Sequence, residues 1–177
     1  MKNNDFPEIV TPRLRLRKLK ESDWKIVSYL RSDDTINRFI ERPRIETEEK
    51  VLEFIRKTNK SVDNKRAYYW SITEKDKTEM IGNICLWNFS KDRKITEIGY
   101  ELSPEFQGKG LMSEALKKII QFGFENLELE SILAYTHKNN DKSRLLLEKN
   151  MFSLINEKKD GQNIYEIRKA AANILYK

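Results

Sequence analysis

Side chains that ligate metals or carry redox chemistry are scarce in this chain. Its one cysteine, Cys85, sits in the apolar run MIGNICLW, which excludes an internal disulfide and a cysteine-rich metal centre. The one histidine, His137, has no cluster of further ligands beside it in sequence, so no metal is expected. No apolar run approaches the roughly 20 residues that a membrane-spanning helix needs, and MKNNDFPEIV lacks the apolar segment of a signal peptide. These absences predict a cytoplasmic protein with no membrane partner. Repeats and low-complexity segments are missing as well.

What is present is charge and aromatic bulk. Charged residues make up 35% of the 177 positions and hydrophobic ones 38%, with eight Phe, seven Tyr and three Trp spread along the chain, a balance that folds. The length suits a single domain over 1–177 with one core. The net charge of +6 calls for an anionic partner without choosing among nucleic acid, an acidic protein and a phosphate-bearing cofactor.

Periodicity orders the elements. RLRLRK (13–18) alternates with period two, predicting a first strand with Leu14 and Leu16 inward and the arginines outward. Ser22 is placed to cap a helix bearing Trp24, Val27 and Leu30, Thr47 to cap one bearing Val51, Phe54 and Ile55, and 35–40 adds a short helical piece. Three strands follow, AYYWSIT (67–73), MIGNICLWNF (80–89) and ITEIGYELS (95–103), joined by short charged turns as an antiparallel meander. A helical period then runs from Leu111 to about Asn126, before a fifth strand, SILAYT (131–136). A short helix (140–150) and a hairpin of 152–155 with 163–167 about Asp160-Gly161 close the chain. The fold class is therefore α/β (α+β), a mixed and mostly antiparallel sheet of six to seven strands flanked by helices, with a crossover helix after the fourth strand.

That crossover begins at QGKG (107–110). Two glycines after a strand make an ordinary turn. Placed before a helix whose first amides are unpaired, they also make an anion cradle that a phosphate approaches without a Cβ in the way. The segment satisfies neither the Walker A spacing nor the dinucleotide fingerprint.

Four stretches, TPRLRLRKLKESD, MIGNICLWN, TEIGYELSPEFQGKGLMSEAL and NNDKSRLLLEKNMF, resemble in order and spacing the GNAT superfamily of acetyl-CoA-dependent N-acetyltransferases, in particular its ribosomal-protein N-terminal acetyltransferase branch. The resemblance implies acetyl-CoA as co-substrate, with its pyrophosphate on the backbone of Gln107, Gly108, Lys109, Gly110, Leu111 and Met112. Met112 departs from the family's small residue there, a change that a side chain turned into the core would absorb. The pantetheine arm would pair with main chain around Leu102 and Ser103, and the sheet would splay between the fourth and fifth strands.

For catalysis, the resemblance points to Glu97 as base, acting directly or through water. Glu101, on the same strand face, lies about 13 Å away at strand rise, so the two do not share one amine. Asn140 and Ser143 match the branch's N-x-x-S spacing as cofactor contacts, and both also suit a helix N-terminus. The tyrosine that many members use as acid is replaced by Leu147, which leaves Ser143 as acid or thiolate contact. Met151 stands where the branch has glycine, implying a different turn.

The reading is acetyl transfer to a primary amine by direct attack in a ternary complex, the acceptor being a protein N-terminal α-amine, for instance that of a ribosomal protein. The alternatives are a polyamine or aminoglycoside acceptor, for which Glu46, Glu48, Glu49 and Glu53 offer a local acidic group, and a non-enzymatic module binding nucleic acid or ribosome through Arg13, Arg15, Arg17, Lys18 and Lys20. The period-two alternation accounts for the basic run as a strand face, so no direct nucleic-acid contact is expected. The assembly would be a monomer or homodimer.

Overall fold

The structure, a computed structural model, describes residues 6–45 and 47–175. In chain order these form β1 (Ile9–Val10), β2 (Leu14–Lys18), α1 (Trp24–Ser32), α2 (Glu48–Asp63), β3 (Tyr68–Glu74), β4 (Met80–Trp87), β5 (Ile95–Leu102), α3 (Leu111–Glu125), β6 (Ser131–His137), α4 (Asp141–Lys149), β7 (Ser153–Glu157), β8 (Gln162–Arg168) and α5 (Lys169–Leu175). One eight-stranded sheet runs β1-β2-β3-β4-β5-β6-β8-β7. Every neighbouring pair is antiparallel except β5 with β6, which α3 joins as the crossover. No helix among the described residues is long and apolar enough to cross a membrane.

The mixed α/β class stands, with eight strands rather than six or seven. The addition is β1, whose two residues pair with Leu16 and Arg15, too short a run to show alternation. The sheet is covered on both faces, so the expected single core is two clusters. Leu14, Leu16, Trp70, Ile84, Ile98 and Leu102 pack under α3, α4 and α5, while Leu19, Val27, Leu30, Val51, Ile55 and Met80 fill the opposite side beneath α1 and α2.

Double coverage explains one misreading. Arg15 is exposed, but Arg17, predicted outward, is 5% exposed, because the single 3-10 turn at Glu21–Asp23 folds back over its end of β2. Its guanidinium donates to both Asp23 carboxylate oxygens, at 2.8 and 2.7 Å, and to the Thr78 carbonyl at 2.9 Å. Asp23 also accepts from the Lys20 N–H at 2.9 Å, and α1 begins after Asp23 rather than at a Ser22 cap. Thr47 does cap α2, accepting from the Lys50 N–H at 3.4 Å. Residues 35–39 form turns rather than a helix, fastened where Asp33 Oδ1 accepts the Thr35 and Ile36 amides at 2.9 and 3.0 Å. The C-terminal α5 was not anticipated.

Candidate active site

A wedge opens in the sheet where β5 leaves β6. Parallel register runs from Ile95↔Ser131 to Ile98↔Ala134 and stops. Beyond it, β5 continues to Leu102 against β4, and β6 continues to His137 against β8. The splay expected between the strands at 95–103 and 131–136 is therefore here, and main-chain groups of 99–102 face it without a partner strand.

At the mouth of the wedge the chain turns through QGKG. Gly108 and Gly110 have φ of 74° and 75°, the left-handed region that L side chains rarely enter. Gly110 is the N-cap of α3 and supplies no side-chain cap, so the first-turn amides of the helix are left to other acceptors. Arg13 pins the loop from below: its Nη1 donates to the Lys109 carbonyl at 2.9 Å and its Nε to Glu114 Oε2 at 2.7 Å. Thr11 Oγ1 donates to the other oxygen of Glu114 at 2.5 Å. Leu111 and Met112 are buried in the core beneath α3, so the bulk of Met112 points away from the cradle. Free amides, two left-handed glycines and the Lys109 ammonium suit phosphate oxygens.

Gln107 and the start of α4 close the other side. Gln107 Nε2 donates to the Leu102 carbonyl at 2.8 Å, and Lys142 Nζ reaches Gln107 Oε1 at 3.3 Å. The Ser103 N–H donates to the Ile81 carbonyl and its carbonyl accepts from Phe106, both at 2.9 Å. Much of the main chain expected to receive a pantetheine arm at Leu102 and Ser103 thus already has a partner, although each carbonyl keeps a second lone pair. Ser103 Oγ, by contrast, is buried with no hydrogen-bond partner, a polar atom suited to a polar ligand.

Asn140 caps α4, its Oδ1 accepting the Ser143 N–H at 3.2 Å. Ser143 Oγ lies 2.8 Å from the Tyr100 hydroxyl, tying α4 to β5 across the wedge. Burial pushes the Tyr100 phenol up to about 12, against a smaller opposing effect of the Ser143 hydrogen bond, so the pair stays fully protonated near neutrality. Sequence reading missed Tyr100, because an aromatic at an alternating strand position reads as core.

Glu97 lies on the opposite face. Its Oε1 accepts from Asn88 Nδ2 at 2.6 Å, and it stands across the ladder from Trp87 and Leu133. No hydrogen bond joins it to Ser143, and its place opposite Leu133 is within the closed ladder, just before the wedge opens. Glu101 shares its face but is 13% exposed in a two-pronged pair with Arg42, at 2.5 and 2.8 Å. Arg42 comes from the aperiodic segment between α1 and α2, where no pattern flags it. Cys85 is held up to about 12, chiefly by burial and then by the Glu101 and Glu97 carboxylates, which makes it a neutral thiol rather than a nucleophile. His137 stacks on Phe39, with centroids 5.4 Å apart.

This chain's 13–153 match the Acetyltransferase (GNAT) domain family. The chain belongs to that family. It is 31% identical over 142 residues, 80% of either chain, to the uncharacterized N-acetyltransferase YoaA of Bacillus subtilis (strain 168). Its fold matches that of the ribosomal-protein-S5-alanine acetyltransferase of Vibrio fischeri with a TM-score of 0.80 at 21% identity, covering 92% of this chain and 96% of the other. It matches FdhC, a nucleotide-linked sugar GNAT, with a TM-score of 0.82 at 23% identity and 97% coverage of each. This GNAT protein is accordingly an acyl-CoA-dependent acetyltransferase.

Proposed function

We propose that 1–177 act as one cytoplasmic N-acetyltransferase domain that passes the acetyl group of acetyl-CoA to a primary amine, by direct attack in a ternary complex, and that the amine is a protein N-terminus of the ribosomal-protein kind. The observation that supports this reading is the uncapped N-terminus of α3, behind two left-handed glycines, beside a break between β5 and β6 that the Tyr100–Ser143 pair spans; Glu97, the candidate base, lies on the opposite face one residue before the ladder ends.

Each residue has a role set by its chemistry. The first-turn amides of α3, with Gln107, Gly108, Lys109, Gly110, Leu111 and Met112, hold the pyrophosphate, while Leu102, Ser103 and Asn140 line the path of the pantetheine arm. Acetyl-CoA supplies an activated acyl carbon. Glu97 takes a proton from the incoming ammonium, directly or through one water, a modest task for an α-amine whose pKa is about 7.7–8.0. As the N–C bond forms and the C–S bond breaks, Ser143, backed by Tyr100, gives its proton to the departing sulfur and is reprotonated through water by the second proton that the new amide nitrogen sheds. A thiolate with a conjugate-acid pKa near ~8.5, by analogy with cysteine, needs little help.

The protein-N-terminus reading draws support from the fold likeness to the Vibrio fischeri enzyme, and from the surroundings of the acidic residues that a polycation would need. Glu48, Glu49 and Glu53 lie exposed along α2, and Glu53 is paired with Lys57 at 2.7 Å rather than gathered in a pocket; Glu46 lies outside the described residues.

Calorimetry with acetyl-CoA tests the cofactor, and mass spectrometry of free-amine peptides, spermidine and an aminoglycoside tests the acceptor. Micromolar binding with mass gain on the peptides is expected. No binding at millimolar acetyl-CoA would overturn the reading, and turnover confined to spermidine or the aminoglycoside would overturn its acceptor.

A further inference from the structure

The sheet face that carries Glu97 also carries a guanidinium that no carboxylate pairs among the described residues. Arg42 is spent: its Nε donates to Asn37 Oδ1 at 2.7 Å, its Nη2 to the Leu30 carbonyl at 2.8 Å, and both Nη atoms to Glu101. That one carboxylate is already matched by Arg42, yet a second guanidinium lies in its field. Arg31, in the last turn of α1, stacks its Cζ 4.2 Å from the ring centroid of Phe54, and its buried Nε has no hydrogen-bond partner. No hydrogen bond or ion pair joins Arg31 to another described residue. Burial first, and the Arg42 charge second, pull Arg31 below the usual arginine range, while Glu101 and Tyr69 oppose them. Arg31 as a whole is half-buried, and its two Nη groups, unlike Nε, are not shut off from solvent, so they offer an arriving anion a cation that no carboxylate pairs directly.

We infer that Arg31 selects the acceptor, and that the amine substrate carries an anionic group, a carboxylate or a phosphate, which docks against the open edge of the Phe54-stacked guanidinium. This rests on the transferase reading above. The β5–β6 ladder ends at Ile98, and Glu101 lies three residues farther along β5, roughly 10 Å at strand rise. An extended peptide running from the wedge along β5 covers that span in about three residues, so its second or third side chain comes toward Glu101, in whose field Arg31 lies. The peptide class singled out is therefore one with Asp or Glu at those positions, and polycationic amines are repelled.

Short peptides differing only in Asp, Asn or Lys at positions two and three, with a nucleotide-linked amino sugar as a phosphate-bearing arm, give the test through kcat/KM. The wild type should prefer Asp over Asn by about tenfold or more, the more so at low salt, and turn over Lys peptides least. Arg31→Gln should level Asp and Asn while leaving the acetyl-CoA Kd unchanged, and Arg31→Lys should restore part of the preference. A preference for the amino sugar with the same Arg31 dependence would assign the phosphate as the docked anion. Equal use of Asp and Asn peptides by the wild type, or a preference that survives Arg31→Gln, would overturn the inference and leave the transferase standing. Acetyl-CoA binding with no transfer to any amine would overturn both.

Discussion

The Tyr100 hydroxyl and Ser143 Oγ meet at 2.8 Å, linking a strand residue on one side of the wedge to the first turn of the helix on the other. Two neutral hydroxyls in series make a short donor chain that stays loaded through the physiological range.

If the chain serves the leaving sulfur, Ser143→Ala lowers kcat by about tenfold or more, and Tyr100→Phe lowers it by a smaller factor. Steady-state kinetics on both variants, with thermal melts as control, make the check. A rise in acetyl-CoA KM at unchanged kcat would show a binding role instead.

Gly110→Asp abolishes acetyl-CoA binding and Gly110→Ala weakens it. A Cβ at Gly110 meets only Arg13 Nη2, at an ordinary 3.6 Å, so Ala acts through the left-handed φ of 75°, a strain of about 1–2 kcal/mol. Asp adds negative charge where the helix offers its positive end. Calorimetry separates the two effects.

Asp23→Ala destabilises the fold by about 3–5 kcal/mol, because it strands the buried Arg17 guanidinium. Replacing both partners with apolar residues costs less. Chemical denaturation of the two variants tests the difference, and catalysis is untouched by either in the surviving folded fraction.

Stability falls on the alkaline side. Cys85 and Tyr100 hold their protons in the folded chain up to about 12, from ordinary values of 9.0 and 10.0. Above those ordinary values the unfolded chain binds fewer protons than the folded one, so each group's contribution is whole below about 9 to 10 and is lost as pH rises through about 12. Urea midpoints across that window should decline, with a smaller decline in Cys85→Ala. With so little thiolate present, Cys85 should alkylate slowly at pH 8 until denaturant is added.

Much of the architecture was legible from local pattern. The meander from Tyr68 to Leu102 shows as apolar and aromatic runs joined by short charged turns, Thr47 announces α2, and the amphipathic stripe of α3 begins directly after two glycines. Arg17 was misread because period two separates faces without saying which face is wet, and here both are covered. Of the candidate site, QGKG by itself reads as a turn, and its place between a strand and a helix, together with the family resemblance, is what marks it as a cradle. Tyr100, Arg42 and Arg31 were not legible, since each owes its place to tertiary contacts that arise far apart in sequence: Tyr100 with Ser143, Arg42 with Glu101, Arg31 with Phe54.

Within the sheet itself, four residue pairs of parallel ladder, Ile95↔Ser131 through Ile98↔Ala134, join the antiparallel half β1–β5 to the antiparallel half β6–β8. A sheet joined by so short a seam breathes there first, and its amides at Gly99 to Leu102 should trade hydrogen for deuterium sooner than those in the middle of β3 or β4. Anything that fills the gap and borrows those main-chain groups would serve as a splint between the halves. Rigidity in this molecule would then arrive with the cofactor.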